Sequence, residues 1–134
     1  MNPTDPLLTV AAAARNKALA PYSNFKVGAA VESVDGSIAS GCNVEFAAYG
    51  LTMCAERVAL FKAVSEGMRK FNRIAVVTDA PELTAPCGAC RQAIWELAGD
   101  IEIIMRNLGG EMASMRMSQL LPHPFDANQL GKKA

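Results

Sequence analysis

Two short apolar runs, "RIAVVTD" (73–79) and "IEIIM" (101–105), restrict the fold of this chain more than any other feature. Both are rich in β-branched residues and shorter than an ordinary buried helix, so both predict strands. The first is apolar almost throughout, as expected of a strand covered on both faces. Between them, "ACRQAIWELAG" (89–99) has helical spacing and a stop at Gly99. A strand covered on both faces requires helices packed against the sheet it belongs to, and the rest of the chain must supply them.

It does so in alternation. Thr4 and Asp5 offer a cap, Pro6 suits an early helical position, and the apolar residues that follow predict a helix ended by Pro21. "FKVGAAVESVDGSIASGCNVE" predicts two strands around the Asp35-Gly36 turn. Residues 53–67 predict a helix that buries Val58, Leu60, Phe61 and Val64 and stops near Gly67. Gly109-Gly110 marks a turn, "EMASMRM" a fifth strand, "SQLLP" a short helix, and residues 123–134 a polar surface tail. The order αββαβαβ(β)α predicts an α/β fold with one mixed sheet and helices on its faces. All 134 residues are expected to form a single domain, large enough to bury a core without disulfides.

Charge narrows the partners. Thirteen basic and thirteen acidic residues give a formal net charge of zero, which excludes the basic surplus expected of a nucleic-acid or anionic-membrane binder. Little net repulsion opposes self-association. No apolar stretch reaches membrane-spanning length, and the N-terminal residues lack the pattern of an export signal, so a cytoplasmic location is expected. There the four cysteines are expected to serve as thiolates rather than disulfides.

Three of them, Cys54, Cys87 and Cys90, stand at predicted helix N-termini, where free N–H groups and the helix dipole favour thiolate. Cys87 and Cys90 form a C-x-x-C pair able to converge on one ion. A third thiolate from another helix leaves a fourth tetrahedral position for water, the layout of a catalytic zinc site. Glu56, two residues from Cys54, is placed to reach that water. Other readings of the same residues are a redox pair at Cys87/Cys90, a non-catalytic zinc-binding module, and a closed four-cysteine site with Cys42 as the last ligand. Cys42 lies in an alternating strand pattern, where a cysteine is ordinarily a small core residue. The single histidine, His123, between two prolines, is expected in a solvated loop.

"GCNVEFAAYGLTMCAERVALFKAVSEG" and "PCGACRQAIWELAG", with "YSNFKVGAAV" ahead and "LLPHPF" behind, resemble the small homotetrameric zinc-dependent cytidine deaminases from about Tyr22 to Phe125. The resemblance implies a three-layer α/β/α sandwich around a mixed five-stranded sheet. It implies hydrolytic deamination of cytidine and deoxycytidine to uridine and deoxyuridine with release of ammonia, as in pyrimidine salvage. Cys54, Cys87 and Cys90 would hold one zinc per subunit, and Glu56 would move protons between the attacking water, ring N3 and the leaving amine. Asn43 and Glu45, two apart on one strand face, match a pair that grips the ribose hydroxyls. Phe25 matches an aromatic packed on the base, and Ala55 a residue whose backbone meets the pyrimidine edge. Arg57 would offset the thiolate charge. Tyr49 and Phe125 match aromatics at a subunit boundary, with Phe125 entering a neighbour's site. A carboxylate at Glu45 favours free nucleosides over nucleotides.

One position departs from that pattern. Where the family reads N-x-E-N-A, this chain reads "NVEFA", and Phe46 replaces a polar residue beside the ribose pair. This departure admits a specialist for base-modified or analogue pyrimidine nucleosides as an alternative substrate reading.

Overall fold

The computed structural model describes residues 2 and 4–131. It places four α-helices and five strands in the order α1 (Pro6–Arg15), β1 (Val27–Ser33), β2 (Ile38–Cys42), α2 (Ala55–Ser65), β3 (Phe71–Thr78), α3 (Gly88–Ala98), β4 (Glu102–Asn107), β5 (Met112–Arg116) and α4 (Met117–Leu120), with short 3-10 turns at Tyr49–Leu51 and, in the tail, Ala127–Leu130. The five strands form one mixed sheet in the order β2-β1-β3-β4-β5. β3 and β4 are parallel, and every other neighbouring pair is antiparallel. Helix α1 covers one face through Leu7, Leu8 and Ala11 on Ala30, Ala75, Val77 and Ile104. α2 and α3 cover the other, where Leu60, Ala63 and Ile94 pack on Ala29, Val31, Ile74 and Ile103. This is the expected three-layer α/β/α sandwich. Of the tail, residues 132–134 lie outside the described residues.

Local chemistry sets the element ends. The Asp5 carboxylate accepts from the Leu7 N–H at 3.0 Å and caps α1, with Pro6 as its first residue. The β1–β2 hairpin turns through Asp35-Gly36, where Gly36 takes φ 89°. α1 stops at Arg15, short of the predicted end at Pro21. The reason is tertiary: Leu19 leaves the helix to pair with the segment after β2, its N–H donating to the Asn43 carbonyl at 3.1 Å and its carbonyl accepting from Glu45 at 2.9 Å.

Helix α2 differs from expectation in its buried face. Ala55, Ala59, Leu60 and Ala63 are buried, Val58 and Val64 are half-buried, and Phe61 is 45% exposed. The helix lies so close to β2 that a Cβ on Gly41 would sit 2.5 Å from the Ala59 nitrogen. Glycine at 41 lets the α2 backbone itself meet the sheet, so hydrophobic size is a poor guide there to what faces inward. The same device seats α1, because a Cβ on Gly28 of β1 would lie 2.0 Å from the Ala11 carbonyl oxygen.

Candidate active site

Two helix starts build the site. Cys54 is the N-cap of α2, and Cys87 is the N-cap of α3, with Cys90 in that helix's first turn. The N-cap and third helical positions face the same way, so Cys87 and Cys90 aim together across one turn. α2 and α3 lie side by side on the sheet and bring Cys54 to them: the three sulfurs all lie within 4.8 Å of one another. The Cys54 and Cys87 sulfurs are 3.8 Å apart. Four ligands at the usual Zn–S length of about 2.3 Å in a tetrahedron stand about 3.8 Å from each other, so this donor set fits zinc. Among the described residues, no other histidine, cysteine or carboxylate joins the group, and Cys42 is apart from it.

The electrostatics favour thiolate at Cys54. The Cys54 thiol is pulled down to about 5, first by a hydrogen bond from Cys90, then by those from Arg57 and Cys87, against the cost of burial. Cys90, the donor in that bond and buried, is held above its ordinary value. The Arg57 guanidinium donates to the Cys54 sulfur at 3.4 Å and is pushed above its usual range, chiefly by that bond. Glu56 is only 4% exposed. Burial pushes its carboxyl up to about 7, and the neighbouring Cys54 charge adds to this.

The two helix starts open on a cavity of about 320 Å³. Cys54, Ala55, Glu56 and Cys87 lie on one side of it, and Phe25, Asn43 and Glu45 also line it. Asn43 and Glu45 stand past the last residue of β2, Cys42, in an extended segment rather than on a strand face. The chain leaves the sheet there because Val44 bridges to both Leu19 and Met53. Asn43 is buried, its side-chain oxygen accepting from Val27 N–H at 2.9 Å and its amide donating to the Phe25 carbonyl at 2.7 Å. One hydrogen and one lone pair of that amide remain. Glu45 accepts from the Tyr22 and Ser23 N–H groups, each at 3.0 Å, and from the Ser23 hydroxyl. The hydroxyl bond first, and the backbone bonds after it, hold its carboxyl below the ordinary value.

Phe46 does not line this cavity. It walls an adjoining one of about 370 Å³, with Tyr22 and Tyr49, that shares Ser23, Glu45 and Thr52 with the first. Tyr49 is 79% exposed, and Phe125 is also exposed, its carbonyl held by the Gln92 side-chain amide at 2.7 Å. His123 sits exposed in the loop after α4, away from the sulfurs. Sequence reasoning missed four hydroxyl-bearing lining residues, Ser23, Thr52, Thr78 and Thr84. Lone hydroxyls in loops and at a strand end carry no spacing signal, although Ser23 stands two residues before Phe25, Thr52 two before Cys54 and Thr84 three before Cys87.

Comparison with known proteins agrees with this geometry. The profile of the "Cytidine and deoxycytidylate deaminase zinc-binding region" matches residues 1–105. Cytidine deaminase of Halalkalibacterium halodurans is 49% identical over 125 residues, covering 92% of this chain and 95% of that protein. That of Sporosarcina psychrophila is 47% identical over 122 residues, 90% of each. The crystal structure of cytidine deaminase from Burkholderia pseudomallei superposes with a TM-score of 0.86 at 50% identity, covering 89% of this chain and 96% of that one.

Proposed function

The chain belongs to the cytidine and deoxycytidylate deaminase family, and from that premise we propose how its own residues divide the work. It is a zinc-dependent hydrolase that converts cytidine and deoxycytidine to uridine and deoxyuridine and releases ammonia. The observation that carries this reading is the convergence of three cysteine sulfurs beside a buried glutamate on one cavity.

Cys54, Cys87 and Cys90 hold one zinc per subunit. When bound there, the metal supplies the Lewis acidity that makes water a nucleophile at neutral pH. Glu56 accepts the proton that water loses as its oxygen bonds to C4, delivers it to N3, and carries a second proton to the departing amine. The C4–N bond then breaks and ammonia leaves. A carboxyl whose burial raises its pKa toward neutrality suits transfer in both directions. Arg57 spreads positive charge onto the sulfurs, which keeps three thiolates from cancelling the Lewis acidity.

Glu45, held ionised, and the remaining donor and acceptor of Asn43 grip the ribose hydroxyls. Phe25 packs on the base, and the Ala55 backbone meets the pyrimidine edge. A fixed carboxylate beside the sugar repels phosphate, so free nucleosides are the substrates and nucleic acid is not. The whole chain acts as one domain in a cytoplasmic homotetramer, with Tyr49 at the subunit boundary and Phe125 entering a neighbour's site. Among the described residues, no helix is long and apolar enough to cross a membrane.

Two assays on one preparation test the reading: zinc per chain, and loss of cytidine absorbance. Glu56→Gln is expected to keep zinc and fold while lowering kcat by about 10²- to 10⁴-fold. Near-normal turnover in that variant removes the proton-transfer role.

A further inference from the structure

Arg91 lies one turn into α3, outside the cavity, yet its contacts surround Cys87. Its backbone N–H donates to the Cys87 carbonyl at 2.9 Å. Its side-chain Nε donates to the carbonyl of Pro86, the residue just before Cys87, at 2.7 Å. The same guanidinium extends through Nη1 to the Leu120 carbonyl at 2.9 Å. Leu120 is the last residue of α4, where a helix carbonyl lacks a partner within its own helix. Pro86 is fully buried, but Cys87 is exposed and has no side-chain cap bond. The direction of the Cys87 side chain therefore depends on the two peptide units around it, and Arg91 holds both.

We propose that Arg91 is a positioning residue of the metal centre: its side chain holds the Pro86 carbonyl on the approach to Cys87 and ties it to the C-terminal end of α4, while the bond to the Cys87 carbonyl is the helix's own. The inference rests on the reading of Cys87 as a ligand. The anchor is itself fixed. Further along the chain, the Gln92 amide holds the Phe125 carbonyl at 2.7 Å, and the Trp95 indole N–H donates to the Asp126 carboxylate at 2.9 Å. One face of α3 thus straps the segment 120–126 while its first turn presents two sulfurs. Lysine cannot replace this arginine fully, because a point charge lacks the fork that reaches two carbonyls at once.

The test follows zinc release from the loaded protein into an excess of a chromogenic chelator. Arg91→Gln is expected to release zinc about 10- to 100-fold faster than wild type, the size of effect seen when groups that orient metal ligands are lost. Arg91→Lys is expected to fall between the two. Ile74→Val, a core change outside the cavity lining, is the stability control and is expected to release zinc at the wild-type rate. Wild-type release from Arg91→Gln overturns the proposal. So does equally fast release from Ile74→Val at a matched loss of Tm, since that is general loosening. Where Arg91→Gln does not fold, Arg91→Lys decides by the same criterion. Cys87→Ser separates the premise from the inference: if it holds zinc as tightly as wild type, Cys87 is not a ligand and the premise fails first.

Discussion

Phe46 stands next to the carboxylate assigned to the sugar, yet its ring belongs to a different compartment. Its N–H donates to the Thr52 hydroxyl at 3.0 Å, and Thr52 lines both cavities. That bond holds the Phe46 backbone beside a residue shared by both cavities, while the half-exposed ring lines only the adjoining one. Exchange for asparagine opens an apolar wall and adds a donor and an acceptor close to Glu45. Phe46→Asn is expected to leave zinc content unchanged while shifting the ratio of kcat/KM among cytidine, deoxycytidine and N4-substituted cytidines by up to about tenfold. Unaltered ratios across the three substrates would take Phe46 out of substrate selection.

The elements are held by two devices of different visibility. Arg73 on β3 bonds to both Asp5, the cap of α1, and Glu32 on β1, at 2.9 Å and 3.1 Å for its Nη2 contacts. Asp5 and Glu32 both have their pKa lowered, in each case chiefly by the Arg73 hydrogen bond. Such groups add stability above the ordinary carboxylate range, and the gain is lost as pH falls through the lowered folded values. Arg73→Gln is expected to cost about 1–3 kcal/mol at neutral pH, between exposed and buried pairs. The Tm gap to wild type should close as the solution is acidified below the carboxylate range. A gap independent of pH would mean that Arg73 acts through packing alone.

The glycine contacts are the second device. Gly28→Ala forces a Cβ into the α1 backbone at Ala11 and Arg15, so a loss of more than about 3 kcal/mol is expected, read as Tm or as failure to fold. A wild-type Tm would show that α1 does not sit this close. These contacts also mark the limit of what the sequence displays. Helix caps, the Asp35-Gly36 hairpin and the sulfur-bearing helix starts rest on local chemistry, so Asp5, Gly36, Cys54 and Cys87 could be read directly. The end of α1 and the inward face of α2 depend on partners distant in the chain, Leu19 with Asn43 and Ala59 with Gly41. Local pattern is blind to these, and it chose Pro21 and Phe61 instead. Among the lining residues, Thr78 and Thr84 carry no local mark of the cavity they face.

Across the whole molecule, apolar side chains remain at the surface near the site. Tyr22, Phe46, Tyr49 and Leu51 are exposed within one stretch of the fold, with Tyr22 and Tyr49 meeting edge to face at a ring separation of 6.4 Å. Exposed aromatic rings gathered about one cavity, on a chain of zero formal net charge, favour burial against another copy. Sedimentation is expected to give four times the chain mass, and Tyr49→Glu to shift it toward smaller species. A wild-type monomer with full activity would remove the partner's Phe125 from the proposed site.

Because β3 and β4 run parallel, the chain must return to the starting end of the sheet between them, and α3 makes that crossing. The β1–β2 hairpin closes over a short turn, whereas the β3–β4 pairing is made only across the crossover that contains α3. Cys54 opens α2, ahead of that crossover, and Cys87 and Cys90 open the helix within it, so the three sulfurs meet only where α3 is docked on the sheet. A metal held by all three sulfurs would therefore tie the crossover helix to the element before it.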